Sequence, residues 1–395
     1  MQAIRDLRVV EPESEQAVSE ALRCADRDGL AVIPRGGGTK LDWGNPPSRA
    51  DLILSTARLN RVIEHAWADL TVTVEAGCTI AELQSTLAKH GQRLAIDVLW
   101  PDRSTVGGIL STNDSGALRL GYGALRDLII GITLVLPDGT IARSGGKVVK
   151  NVAGYDLPKL ATGALGTLGV ITQATFRLHP LPHGTRTLTI LPRRIAEAQS
   201  LLLALQDTNL AHTALQVRCG ASMAPEMDIL FEGTAAGLEA QITRIREIAR
   251  PAAVKEAETP LIRAITGPAD AQEGAEKVWA AREEIAAAAP VVKFSVLPSE
   301  IAETLEALRR LEDRQWRAVV QATGLGFAAV AAPFQQLRAS IESQGGTLTV
   351  LRQAPGADPI EAWGEAGDTL PLMREIKRRF DPNNTLNPGR FVGAI

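Results

Sequence analysis

Two stretches of this chain, ILPRRIAEAQSLLLAL at 190–205 and VLPSEIAETLEALRRL at 296–311, read as copies of one another. The leucines before their prolines, Leu191 and Leu297, stand 106 residues apart. In each copy a strand ends in Leu-Pro and an amphipathic helix follows. Then come two strands, a second helix and a last strand. In the second copy the later pieces are WRAVVQATG, GFAAVAA, FQQLRASIESQG and GTLTVLRQ. A tandem of βαββαβ units predicts two ferredoxin-like halves that form one sheet layer with helices on one face. The competing reading is chance similarity between two amphipathic helices.

The chain before Pro180 and Pro182 has a different character. Residues 13–28 are expected to form an amphipathic helix ended by Gly29, and LAVIP a short buried strand. ADLILST and LTVTVEAG read as further strands. Thr79 with Glu82 three residues on is a capping box that opens another helix. Glycine-rich turns join these pieces. The two prolines mark a boundary. The expected organisation is a first domain at 1–180, a second at 181–370 and a C-terminal segment at 371–395 that docks back on another domain; fraying is the alternative for that segment.

Composition removes several functions. A net charge of −3 over 395 residues gives no electrostatic footprint for nucleic acid or anionic lipid, and 4% aromatic residues supply few base-stacking surfaces. Cys24, Cys78 and Cys219 lie far apart, so neither a zinc site nor an iron–sulfur ligand set is expected. Sparse thiols suit a reducing compartment, where they are usually buried as small hydrophobes. The N-terminus carries charges throughout and no apolar run is long enough to span a bilayer. A cytoplasmic location is the expectation, with membrane contact only peripheral, through a partner.

Three segments carry candidate chemistry. In PRGGGTK, successive N–H groups of Gly36, Gly37, Gly38 and Thr39 can converge on an anion. Glycine is needed there because a Cβ would block a pyrophosphate, so Gly37→Val is expected to remove the ligand with folding largely spared. A plain tight turn is the alternative. WPDRSTVGGILSTNDSG, 100–116, combines hydroxyls with paired glycines, which suits phosphate and ribose; a loop satisfying its own backbone would look the same. GGKVVKNVAGYDLPKLATGALGTLGVIT, 145–172, ends with glycine every third residue before an apolar strand, which permits close approach of a flat ligand or tight helix–strand packing. GYGALR fails the dinucleotide fingerprint at Arg126, and no Walker A sequence is present.

PRGGGT, PDRSTVGGILSTNDSG, VVKNVAGYDLPKL, GTLGVIT and FDPNNTLNPGR, in this order, resemble the FAD-linked oxidases of the vanillyl-alcohol oxidase/p-cresol methylhydroxylase (PCMH) type. More closely, the chain resembles the FAD-binding E subunits of bacterial glycolate oxidases. The resemblance implies an α/β (α+β) fold, with a bipartite PCMH-type FAD-binding domain and a cap domain of the two ferredoxin-like halves. It implies that Pro34, Arg35, Gly36, Gly37, Gly38, Thr39 and Lys40 hold the FAD pyrophosphate. Asp102, Arg103, Ser104, Thr105, Thr112, Asn113, Asp114 and Ser115 are implied to contact flavin and phosphates. Leu165, Gly166, Thr167, Leu168, Gly169, Val170 and Ile171 are implied to line the adenosine side. Asn387 and Arg390 are implied to approach the isoalloxazine edge, where a cation would stabilise anionic reduced flavin; a solvated tail charge is the alternative for Arg390.

Departures from the family pattern refine the expectation. Relatives with covalent flavin carry His where this chain has Thr39, so FAD is expected to be non-covalent. Catalytic relatives carry a metal-binding His/Glu cluster in the cap and Glu in GSEGTLG. Here the corresponding cap segment, VVQATGLGFAAV, has no His, Asp or Glu, and Leu165 replaces the glutamate. No metal site is expected and no catalytic residue is assigned; His65, His90, His179, His183 and His212 read as packing or surface residues. The implied function is the FAD subunit of a glycolate dehydrogenase that oxidises glycolate to glyoxylate. Its implied partners are a larger FAD-binding subunit and an iron–sulfur subunit. A stand-alone dehydrogenase of a small 2-hydroxy acid and a flavin-free structural subunit are the alternatives.

Overall fold

A computed structural model describes residues 7–147, 155–252, 263–265, 270–312, 315–331, 333–354, 356 and 360–395. The chain divides into two compact units. The first contains 1–115, 122–181 and 361–395, and the second 116–121 and 182–360. The first boundary therefore falls at the expected proline pair, and the return segment begins at Glu361 rather than at 371.

The first unit opens with β1 (Arg8–Val10) and α1 (Glu15–Arg27), whose N-cap Ser14 accepts the Ala17 N–H. Alternation of apolar and charged residues puts Val18, Leu22 and Ala25 on the buried face of α1. β2 (Val32–Arg35) and β3 (Leu52–Ser55) join β1 in a parallel sheet ordered β1-β3-β2. β4 (Val62–Ala66) and β5 (Thr71–Glu75) lead to α2 (Ile80–Ala88), which starts at the expected Thr79–Glu82 capping box. β6 (Gln92–Arg93) precedes α3 (Val106–Thr112). β7 (Ile129–Val135), β8 (Ile141–Gly145) and β9 (Val170–Arg177) complete an antiparallel sheet ordered β4-β5-β9-β7-β8. β10 (His179–Pro180) pairs with β6. One apolar core lies between that sheet and α2 and α3, with Val74, Leu83, Ile109, Leu128 and Phe176 all buried. A second joins α1, Leu54, Val170 and Leu386. Of the motif VVKNVAGYDLPKL, residues 148–154 lie outside the described residues.

The second unit realises the internal repeat. Its first copy is β11 (Thr185–Ile190), α4 (Ile195–Gln206), β12 (His212–Gly220), β13 (Met223–Glu232), α5 (Ala235–Ala252) and β14 (Arg263–Ile265). After α6 (Asp270–Ala287) comes the second copy: β15 (Val291–Ser295), α7 (Ile301–Leu311), β16 (Arg317–Gln321), β17 (Leu325–Ala329), α8 (Phe334–Glu342) and β18 (Thr347–Arg352). All eight strands form one antiparallel sheet, ordered β14-β11-β13-β12-β16-β17-β15-β18. Each copy has its strands in the spatial order fourth, first, third, second, and the copies meet where β12 pairs with β16. The apolar residues of both copies merge into one core on the face carrying α4, α5, α7 and α8. α6, which the reading of helices on one face did not include, covers the opposite face: the Gln216 amide donates to the Val278 carbonyl, and the Trp279 N–H to Thr187 Oγ1.

The segment from Glu361 returns to the first unit as α9 (Leu370–Phe380) and an ordered turn-rich tail. Lys377 on α9 is buried. Its ammonium bonds the Thr167 and Leu386 carbonyls, both at 2.9 Å, and Asp381 Oδ2 at 2.6 Å. Burial pulls the Lys377 pKa below its ordinary value, and Asp381 opposes that shift. Asp381 also accepts the Thr385 and Leu386 N–H groups, so the tail is held in place and does not fray.

Among the described residues no helix is long and apolar enough to cross a membrane. No group of three or more His, Cys, Asp or Glu there could hold a metal ion. Cys78 and Cys219 are buried as expected, but Cys24 lies on the outer face of α1. Burial pushes the two buried thiols up to about 11 and about 12.

Candidate functional site

The glycine run begins where β2 ends. Among the described residues no acceptor takes the N–H of Gly36, Gly37, Gly38 or Thr39, although Arg35 just before them still accepts from Thr56. Gly36 and Thr39 are half-buried and Gly37 and Gly38 exposed, so the four N–H groups are open to water or to a ligand. They border an open cleft in the first unit.

The cleft gathers the candidate segments. All of Pro34 to Lys40 line it. So do Thr105 and Thr112 from the second segment, Leu165, Gly166, Gly169, Val170 and Ile171 from the third, and Arg390 from the tail. Gly107, Gly108 and Ser111 also line it, on the first two turns of α3. Sequence reading noted their types but did not assign them; the capping Thr105, which accepts from the Gly108 N–H at 3.3 Å, was the available signal that a helix starts there.

Other candidates do not line the cleft: Asp102, Arg103, Ser104, Asn113, Asp114, Ser115, Thr167, Leu168 and Asn387. Of these, Asp102 and Arg103 are exposed. Ser104 and Asp114 are buried and bonded to Lys40. Thr167 Oγ1 donates to the Ala164 carbonyl. Asn387, with φ of 44°, donates from Nδ2 to the Leu165 carbonyl at 2.7 Å. Leu165 itself has φ of 52°, an uncommon conformation for a bulky residue, and this contact helps to hold it.

The glycines have a second cause that changes one expectation. A Cβ on Gly37 would stand 1.7 Å from the Arg103 carbonyl oxygen, and one on Gly36 2.1 Å from Thr105 Oγ1. Their absence of side chains is demanded by the facing loop of the same chain, before any ligand arrives. Gly37→Val therefore displaces the 103–105 wall and does not spare the local fold.

Arg390 is not a solvated tail charge. It is 4% exposed, and Nη2 donates to the Lys40 and Leu41 carbonyls at 2.9 and 3.1 Å. Burial pulls its pKa down to about 10, with Asp42 acting in the opposite direction. Its Nε and the Asn387 Oδ1 are buried without a partner among the described residues. Four of the five histidines make contacts: His65 bonds Gln92, His90 stacks on Trp67, and His179 and His212 pack edge-on against Tyr122 and Phe231; His183 is exposed.

Main-chain donors in series, threonine hydroxyls and a buried guanidinium bonded, among the described residues, only through Nη2 fit an extended molecule with a central polyanion. Within a mixed α/β fold this defines a protein with a site for a dinucleotide or a similar diphosphate ligand. Residues 7–145 match the FAD binding domain family, and residues 362–391 match the C-terminal domain of FAD linked oxidases. Over these two segments the chain is similar to PCMH-type FAD-linked oxidases, and FAD is its cofactor.

Among curated relatives, it is 36% identical to glycolate oxidase subunit GlcD of Bacillus subtilis over 49% of this chain and 41% of that protein. It is 27% identical to a D-lactate dehydrogenase of Archaeoglobus fulgidus over 100% of this chain and 93% of that one. It is also 27% identical to a D-2-hydroxyglutarate dehydrogenase of Xanthomonas citri, over 98% and 89%. The alignment to the first thus spans about two-fifths of the relative's length. The fold is shared with alkyldihydroxyacetonephosphate synthase, with a TM-score of 0.71 at 19% identity over 96% of this chain and 76% of that one.

Proposed function

We propose that the chain is the FAD-binding subunit of a dehydrogenase that oxidises a small 2-hydroxy acid, glycolate first among the candidates, to the 2-oxo acid. The N–H series at Gly36–Thr39, free of protein acceptors among the described residues and beside a cleft, carries the reading, because such a series suits an anion. Bound FAD supplies the two-electron acceptor for the oxidised C–H bond. The chain's own residues do the holding. Main-chain N–H groups of 36–39 take the diphosphate, and the hydroxyls of Thr105 and Thr112 flank it. Arg390 places a buried positive charge beside the cofactor, where it opposes loss of the negative charge that reduction creates. Thr39 offers a hydroxyl, 3.1 Å from Ser104 Oγ, where a covalent link would need a nucleophilic ring nitrogen, so retention is non-covalent.

Similarity to a glycolate oxidase subunit supports the substrate, and the lack of His, Asp and Glu in VVQATGLGFAAV supports dependence on partners, a larger flavin subunit and an iron–sulfur subunit. A second reading, a stand-alone dehydrogenase, is favoured by one observation. On the α6 face of the second unit's sheet, Gln321 is 3% exposed with neither amide atom bonded among the described residues. An unspent buried amide is a group that hydrogen-bonds a carboxylate. The test is anaerobic dye reduction by the purified, FAD-loaded chain with glycolate, D-lactate and D-2-hydroxyglutarate. A yellow but inert protein that gains activity with co-expressed partners supports the subunit reading. Activity alone supports the second, and a protein that takes up no FAD overturns both.

A further inference from the structure

The two walls of the cleft are joined by one buried ion pair. Lys40 closes the glycine loop, and Asp114 stands two residues beyond the end of α3. The Lys40 ammonium lies 3.1 Å from Asp114 Oδ2, and the two side chains are 4% and 0% exposed. The ammonium also reaches Ser104 Oγ at 2.8 Å and Thr39 Oγ1 at 3.3 Å. An ammonium has three donors, and these acceptors occupy all of them. The indoles of Trp43 and Trp100 approach it at 5.7 and 5.6 Å and close the remaining approach. The anchors are themselves fixed: Asp114 Oδ2 accepts the Leu99 N–H at 2.9 Å, and Ser104 Oγ donates to the Leu99 carbonyl at 2.6 Å.

We propose that Lys40 and Asp114 are positioning residues, a latch that sets the spacing between the glycine loop and the 104–112 wall and so sets affinity for the dinucleotide's diphosphate, while neither side chain touches it. This rests on the flavin reading above. The loop needs such a latch because glycine residues lose the most conformational freedom on ordering. Without a fixed end at Lys40, the N–H groups would pay that entropy each time a ligand binds.

Removing one partner leaves a buried charge unpaired, whereas replacing both by apolar groups of similar size leaves none. That asymmetry provides the test. Dissociation constants of FAD and of ADP are measured by calorimetry on apoprotein, well below the unfolding temperature, for wild type, Lys40→Met, Asp114→Leu and the double variant. Each single change is expected to raise both constants by about tenfold or more, and the double variant to return to within about threefold of wild type. A double variant as weak as Lys40→Met overturns the proposal, because Lys40 would then contact the anion directly. Single variants that melt earlier but bind ADP as wild type does also overturn it, because the pair would then serve stability alone. Should the singles not fold, the double variant decides by the same two outcomes. A wild type that binds neither FAD nor ADP overturns the flavin reading, and the latch with it.

Discussion

The two units treat buried polarity in opposite ways. In the second, the Asp228 carboxylate is fully buried and saturated: Thr189 donates at 2.8 Å, Gln216 at 3.1 Å, and Arg218 through Nε at 2.5 Å and Nη2 at 3.0 Å. In the first, the glycine loop keeps four main-chain donors unspent beside a cleft whose walls are locked by Lys40 and Asp114. A saturated cluster fixes a sheet and has nothing left to offer. An unsaturated series on a locked frame is a binding surface.

The contrast can be broken by substitution. The largest effect is expected from Gly37→Val, where the clash with the Arg103 carbonyl moves the wall. FAD retention on purification should vanish, and the melting temperature should fall; retained flavin in a normal yield would show that the loop is not the cradle. Next comes Asp228→Ala, which takes the shared acceptor from Thr189, Gln216 and Arg218 and should cost about 1–3 kcal/mol in urea unfolding. FAD affinity of the folded protein should be unchanged, and a weakened affinity would break the division of labour between the units. Arg390→Ala should lower the flavin reduction potential and, because Nη2 holds the Lys40 and Leu41 carbonyls, weaken FAD binding about tenfold. An unchanged potential in spectroelectrochemical titration would leave Arg390 with a packing role only.

Near pH 9 the smallest effect is electrostatic and spread over both units. Folded Cys78 and Cys219 hold their protons to about 11 and about 12, against an ordinary 9.0. Above the unfolded value the native state binds more protons than the unfolded chain. Stability should therefore be intact below pH 9 and should decline as pH rises toward 11, by at most about 1.4 kcal/mol per unit for each thiol. Replacing Cys78 and Cys219 by Ala or Val should flatten that slope. At pH 8 a thiol reagent should label Cys24 quickly and the other two only on unfolding.

The second unit was legible almost element by element, because period and Leu-Pro punctuation are local signals. α6 escaped, since nothing in the repeat calls for a helix between the copies. In the first unit the residues that line the cleft were identifiable as types, yet those of 102–104 and 113–115 could not be sorted into wall and backing. Ser104 and Thr105 are neighbours of like chemistry. One bonds Lys40 from behind and the other caps α3 at the surface of the cleft.

Sequence alone determined the tandem sheet, the capped helices and the presence of anion-seeking loops, because these follow from spacing along one stretch of chain. Only the tertiary structure decided which donors stay unspent, that Gly36 and Gly37 yield to a facing loop, and that Arg390 is buried beside Lys40. Each of those depends on residues tens to hundreds of positions apart meeting within a few ångströms, and hydrogen bonding and desolvation act only at that range.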